Sequence, residues 1–101
     1  MEKSLADIKI ELPELANSFG ALFLQTMKEG ALSMKQKELI AMGIAIALRC
    51  ESCIRVHLEK CLAAGVNKKE ILETASVAVM MQGGPAYTML PSILEALESV
   101  K

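Results

Sequence analysis

Tryptophan is absent from this chain of 101 residues, and Phe19, Phe23 and Tyr87 are its only aromatics. The apolar residues left are mostly Ala, Leu, Ile and Met, a palette that favours helices over strands. An excess of basic charge is also missing. The net charge is −1 at pH 7, so no field exists to attract nucleic acid. No apolar run approaches the ~18 residues needed to span a bilayer. The longest clean one, Leu39 to Leu48, is far shorter. The opening MEKSLADIKIE lacks the apolar centre of a signal peptide, so a cytoplasmic location is expected. Cysteine is scarce and odd in number: Cys50, Cys53 and Cys61. That argues against a structural disulfide framework. It favours a catalytic or metal-binding role for the close pair.

What the chain does have is apolar bulk, 52% of its residues. A length of 101 residues supports one domain, residues 1–101. Such a chain fills a core and has apolar surface left over, and the expected use of that surplus is a subunit interface. Leu15, Ala16, Phe19, Leu22, Phe23 and Met27 recur at helical spacing and predict a helix over 13–28, while residues 1–10 show only enough pattern for a short docked turn. S-M-K-Q from Ser33 is a capping-box pattern that opens a helix over 34–48. Its second half, AMGIAIAL, is apolar all round and reads as buried. A further helix is expected at 51–64, capped by Glu51 or Ser52 and closed by Gly65. It carries Ile54, Leu58, Cys61 and Leu62 as its inner stripe. Another runs from Asn67-Lys68-Lys69-Glu70 to about Met81, and the last covers 85–99 and is kinked or divided by Pro91. The fold class is all-α, a single-domain bundle of five or six helices. Met34, Met42, Met80, Met81 and Met89 read as core residues.

The informative stretch is Glu38 to Cys61, ELIAMGIAIALRCESCIRVHLEKC. Cys50 and Cys53 form a C-x-x-C pair at the mouth of a helix. Unpaired amides there favour a thiolate, the form that does sulfur chemistry. His57, four residues after Cys53, lies on the same helical face, where an imidazole can assist the thiol. Zinc is the rival use of Cys50, Cys53, His57 and Cys61. On a continuous helix, however, Cys50 and Cys61 stand about 16 Å apart along the axis, and zinc needs every ligand atom within about 2.0–2.3 Å. Cys61, on the apolar stripe, reads as structural. Glu38 is either a solvated charge at the edge of the apolar helix or a partner for His57. Counted from a turn near residue 50, Glu38 lies about 18 Å back and His57 only about 10 Å forward. The two meet only if the helices cross or are offset, or if Glu38 comes from another subunit.

The pattern Glu38, eleven residues, Cys50, two residues, Cys53, three residues, His57 resembles the alkylhydroperoxidase D-like branch of the carboxymuconolactone decarboxylase family. The likeness extends over roughly residues 30–90. It implies an all-α fold assembled as trimers or hexamers and a thiol-dependent peroxidase or oxidoreductase. Cys50, as the more exposed thiol, would form mixed disulfides with a partner. Cys53 would attack the peroxide and pass through a sulfenic acid that Cys50 resolves. His57 would be the base and Glu38 its orienting partner. No bound cofactor is implied. The co-substrate would be a dithiol reductant of lipoyl or thioredoxin type, and an oxidised peroxiredoxin is a candidate partner. One departure stands out. Characterised members of that branch carry a second His just before the second Cys, and this chain has Ser52. A hydroxyl is a poor proton shuttle at neutral pH, so dithiol–disulfide exchange is expected, with weak or partner-dependent peroxidase turnover. The rivals are a lactone decarboxylase like the family's namesake, using His57 without the cysteines, and a non-catalytic metal-binding or assembly module.

Overall fold

The computed structural model describes residues 2–100, and every regular element among them is an α-helix. The chain divides into two compact units, the first ending at Gly30 and the second beginning at Ala31.

The first unit holds α1 (Leu5–Glu11) and α2 (Pro13–Met27), packed on each other. The expected short turn is thus a helix of seven residues. The Asp7 carboxylate starts it by accepting the Ser4 amide proton at 2.7 Å, which satisfies a donor that a helix start otherwise leaves open. Pro13 occupies the first turn of α2, where its missing N–H costs nothing. Neither helix contains a buried residue. Ala16, Phe23 and Met27 are partly covered, whereas Leu15, Phe19 and Leu22 stay exposed.

The second unit is built around α3 (Met34–Ala47), which packs against α4 (Glu51–Ala63), α5 (Lys68–Gln82) and the single turn α6 (Gly84–Tyr87). The last helix, α7 (Leu90–Ser99), packs on α4. The division expected at Pro91 falls between α6 and α7, with that proline in the first turn of α7. Ser33 and Gln36 exchange hydrogen bonds at the start of α3, and Asn67 and Glu70 do the same at the start of α5. A Lys35–Glu70 ion pair of 3.1 Å joins these two beginnings. The Asn67 amide, and then Lys35, hold the Glu70 carboxyl below its ordinary range.

The core combines Met42 and Ile46 of α3 with Ile54, Leu58 and Cys61 of α4, Ile71 and Ala75 of α5, and Ile93 of α7. Two expectations need correction here. The run AMGIAIAL is not buried all round, because Ile44 and Leu48 are exposed, as is Ile40 just before it, on the side that the neighbouring helices leave open. Ile40, Gly43, Ile44, Thr74, Val77 and Met81 line an apolar groove between α3 and α5. Of the five methionines expected in the core, Met42 and Met89 lie there, whereas Met34, Met80 and Met81 are exposed.

Both ends of the α3–α4 hairpin use the same stop. At the end of α4, the Val66 amide donates to the Cys61 carbonyl and the Gly65 amide to that of Leu62. Gly65 has φ +90°, the left-handed conformation that this closure requires. At the end of α3, the Cys50 amide donates to Ala45 and the Arg49 amide to Ile46. Here Arg49 takes the left-handed position, at φ +57°, although a side chain there is disfavoured by about 1–2 kcal/mol. Arg49→Gly is therefore expected to raise the urea-derived unfolding free energy by about 0.5–1 kcal/mol, while Arg49→Val lowers it.

Candidate functional site

Helix α4 begins at the dithiol. Cys50 itself is its N-cap, with an extended backbone and a sulfur that accepts the Cys53 amide proton at 3.3 Å. The cap expected at Glu51 or Ser52 is one residue earlier, and it is a thiol sulfur in a place usually taken by a small oxygen side chain. Cys50 and Cys53 are joined as a disulfide, their Cα atoms 5.2 Å apart. Ser52 Oγ lies 3.5 Å from the Cys50 sulfur. A sulfur in a disulfide has no proton to give, so the hydroxyl is the donor. Cys50 is partly buried and Cys53 exposed, the reverse of the order that the family resemblance implies.

One turn further along α4 stands His57. Its Nδ1 lies 3.1 Å from Glu38 Oε1. Glu38 is only 4% exposed, the one charged side chain among the described residues in the core. A carboxylate can only accept, so Nδ1 carries the proton and Nε2 becomes the basic nitrogen of the neutral ring. This is the orienting arrangement that a general base requires. Cys53, His57 and Cys61 follow each other at four-residue steps on one face of α4.

The two side chains meet within one chain, against the simple hairpin count. The reason is the closure at the end of α3. It brings the Cys50 amide to the Ala45 carbonyl, so the first residue of the return sits beside the last turn of α3 rather than beyond it. Glu38 lies seven residues before Ala45, and His57 seven after Cys50. Each is then about 10 Å from the shared level. Cys61 adds a second fastening, its buried thiol donating to the Glu38 carbonyl oxygen at 3.4 Å. Burial, and secondarily the Glu38 carboxylate, push that thiol up to about 11. Its apolar-stripe reading holds, with a polar contact that spacing did not reveal. The zinc alternative requires the four ligand types around one point. Instead Cys50 and Cys53 bond to each other, His57 to Glu38, and Cys61 to a backbone oxygen.

A model of the carboxymuconolactone decarboxylase family matches residues 13–96. The chain belongs to that family. An uncharacterised protein from Haemophilus influenzae is 32% identical over 96 residues, covering 95% of this chain and 85% of its own. A crystal structure of a family protein from Legionella pneumophila superposes with a TM-score of 0.89 at 41% identity, covering 94% of this chain and 85% of that one. A family protein from Thermotoga maritima, for which involvement in the antioxidative response has been suggested, gives a TM-score of 0.77 at 27% identity, covering 98% and 93%.

Two predictions follow from this geometry. Glu38→Ala removes the partner of a mostly buried ring and should cost about 2 kcal/mol in urea unfolding. The raised Cys61 thiol stabilises the fold below about pH 9, and that contribution is lost as the pH rises toward about 11. Unfolding free energies at pH 8 and 10.5 should therefore fall by about 1–2 kcal/mol more in the parent protein than in Cys61→Ala.

Proposed function

We propose that the protein is a thiol-dependent oxidoreductase that reduces hydroperoxides, or an oxidised peroxiredoxin, through the Cys50–Cys53 pair. The observation that carries this reading is a disulfide at the start of α4, one helical turn from an imidazole that Glu38 holds through Nδ1. In the reduced enzyme, His57 takes the Cys53 proton. The thiolate attacks the outer peroxide oxygen, the O–O bond breaks, and His57 returns the proton to the departing alkoxide. Cys53 is left as a sulfenic acid. The Cys50 thiolate attacks its sulfur and displaces hydroxide, which is released as water, and the disulfide is restored. A dithiol of lipoyl or thioredoxin type returns the two electrons and becomes a disulfide. No bound cofactor enters this cycle.

The suggested antioxidative role of the Thermotoga relative is in line with this reading. The exposed apolar faces of α2, and of α3 with α5, support assembly of several copies, for which a trimer or hexamer is the proposal. No helix among the described residues is long and apolar enough to cross a membrane. A cytoplasmic location belongs to the proposal. One second reading has an observation behind it. The Glu38–His57 pair can move a proton without any sulfur, as a lactone decarboxylase would need.

Peroxide consumption with and without dihydrolipoamide tests the leading reading. Donor-dependent turnover is expected, lost in Cys53→Ser and reduced about 100-fold in His57→Ala. A Cys53→Ser protein that keeps full activity on a lactone acid would establish the second reading instead.

A further inference from the structure

The dithiol reading leaves open which sulfur meets the external reductant, and the inference below rests on that reading. The two cysteines differ in two respects, residue exposure and hydrogen bonding at sulfur. Cys53 is exposed and Cys50 partly buried. The hydrogen bonds recorded at the pair both end on the Cys50 sulfur, one from the Cys53 amide at 3.3 Å and one from the Ser52 hydroxyl at 3.5 Å. Thiol–disulfide exchange needs an accessible sulfur to attack and a stabilised thiolate to leave. The geometry points to Cys53 as the sulfur attacked by the reducing thiol, and to Cys50 as the leaving thiolate, held by the Cys53 amide and by Ser52.

In the first step, an external thiolate forms a bond to the Cys53 sulfur. The Cys50–Cys53 bond breaks, and its electron pair stays on Cys50. The second thiolate of a dithiol donor then attacks the donor sulfur of the mixed disulfide. Cys53 leaves with its electron pair, and the donor departs as a disulfide. Two electrons have moved, and both protein thiols are reduced. Oxidant and reductant thus meet the same outward sulfur, while Cys50 acts from behind it in both halves of the cycle. Ser52 acts through Cys50 as a positioning residue. Its hydroxyl stabilises charge on the leaving sulfur, a task different from shuttling a proton. The arrangement suits a small or slender thiol donor that approaches an exposed first turn.

The test uses the intact oxidised protein and 2-mercaptoethanol as the monothiol probe. The reaction is quenched in acid after a few seconds, free thiols are blocked with N-ethylmaleimide, and the peptide Cys50–Arg55 is sequenced by tandem mass spectrometry. The probe is expected on Cys53 and the maleimide on Cys50. A probe found mainly on Cys50, or divided evenly, overturns this inference and leaves the dithiol reading standing. A disulfide untouched at both sulfurs overturns the two together. Ser52→Ala should react about threefold more slowly at the same sulfur, because a hydrogen bond to the departing charge is lost. An unchanged rate removes Ser52 from the proposal.

Discussion

The site depends on one backbone hydrogen bond, from the Cys50 amide to the Ala45 carbonyl. It folds the return chain back beside the last turn of α3 and fixes the register of the hairpin. Because the register is fixed, a carboxylate and an imidazole nineteen residues apart arrive at the same height. The same bond places Cys50 as the residue that opens α4, so its sulfur faces the free amides of the first turn. The sulfur pair and the oriented imidazole are both placed by one chain reversal. That reversal uses Arg49 in a conformation for which glycine is the ordinary choice.

Holding a carboxylate in the core is costly unless it is paired. Glu38 is met at two successive turns of α4. His57 engages its side chain and Cys61 its main-chain oxygen. The first contact gives the side chain a hydrogen-bond donor in place of water. The second keeps the backbone from shifting along α4. Met42, Ile46, Leu58 and Ile71 are fully buried in the core shared by α3, α4 and α5, and a dry interior strengthens polar contacts. The apolar packing and the polar pair support one another. A loosened core would leave the imidazole unaligned.

Much of this was legible in the sequence. Capping patterns at Ser33 and Asn67, the glycine at 65 and the stripe Ile54–Leu58–Cys61 mark three helices because each reflects a local rule of hydrogen bonding or spacing. Cys50, Cys53 and His57 were legible for the same reason, since all lie within two turns of one helix. Glu38 was harder. Its place depends on how the chain turns at Arg49, and no side-chain pattern announces a left-handed arginine. The closure at 45–50 is made by backbone groups alone. The start at Ser4 did carry a signal, since Asp7 stands at the third helical position, but the apolar pattern behind it was too short to support it. The exposure of Ile40 and Ile44 was not legible, because periodicity counts apolar residues without saying how many neighbours will cover them.

Three cysteines in one chain allow three pairings, and the one present joins Cys50 to Cys53. Cys61 lies three turns into α4, fully enclosed, where burial pushes its thiol up to about 11. A thiol in that condition offers very little anion near neutral pH to scramble an existing bridge. The third thiol is silenced by its surroundings rather than by its absence, and the bridge at the start of α4 has no competitor.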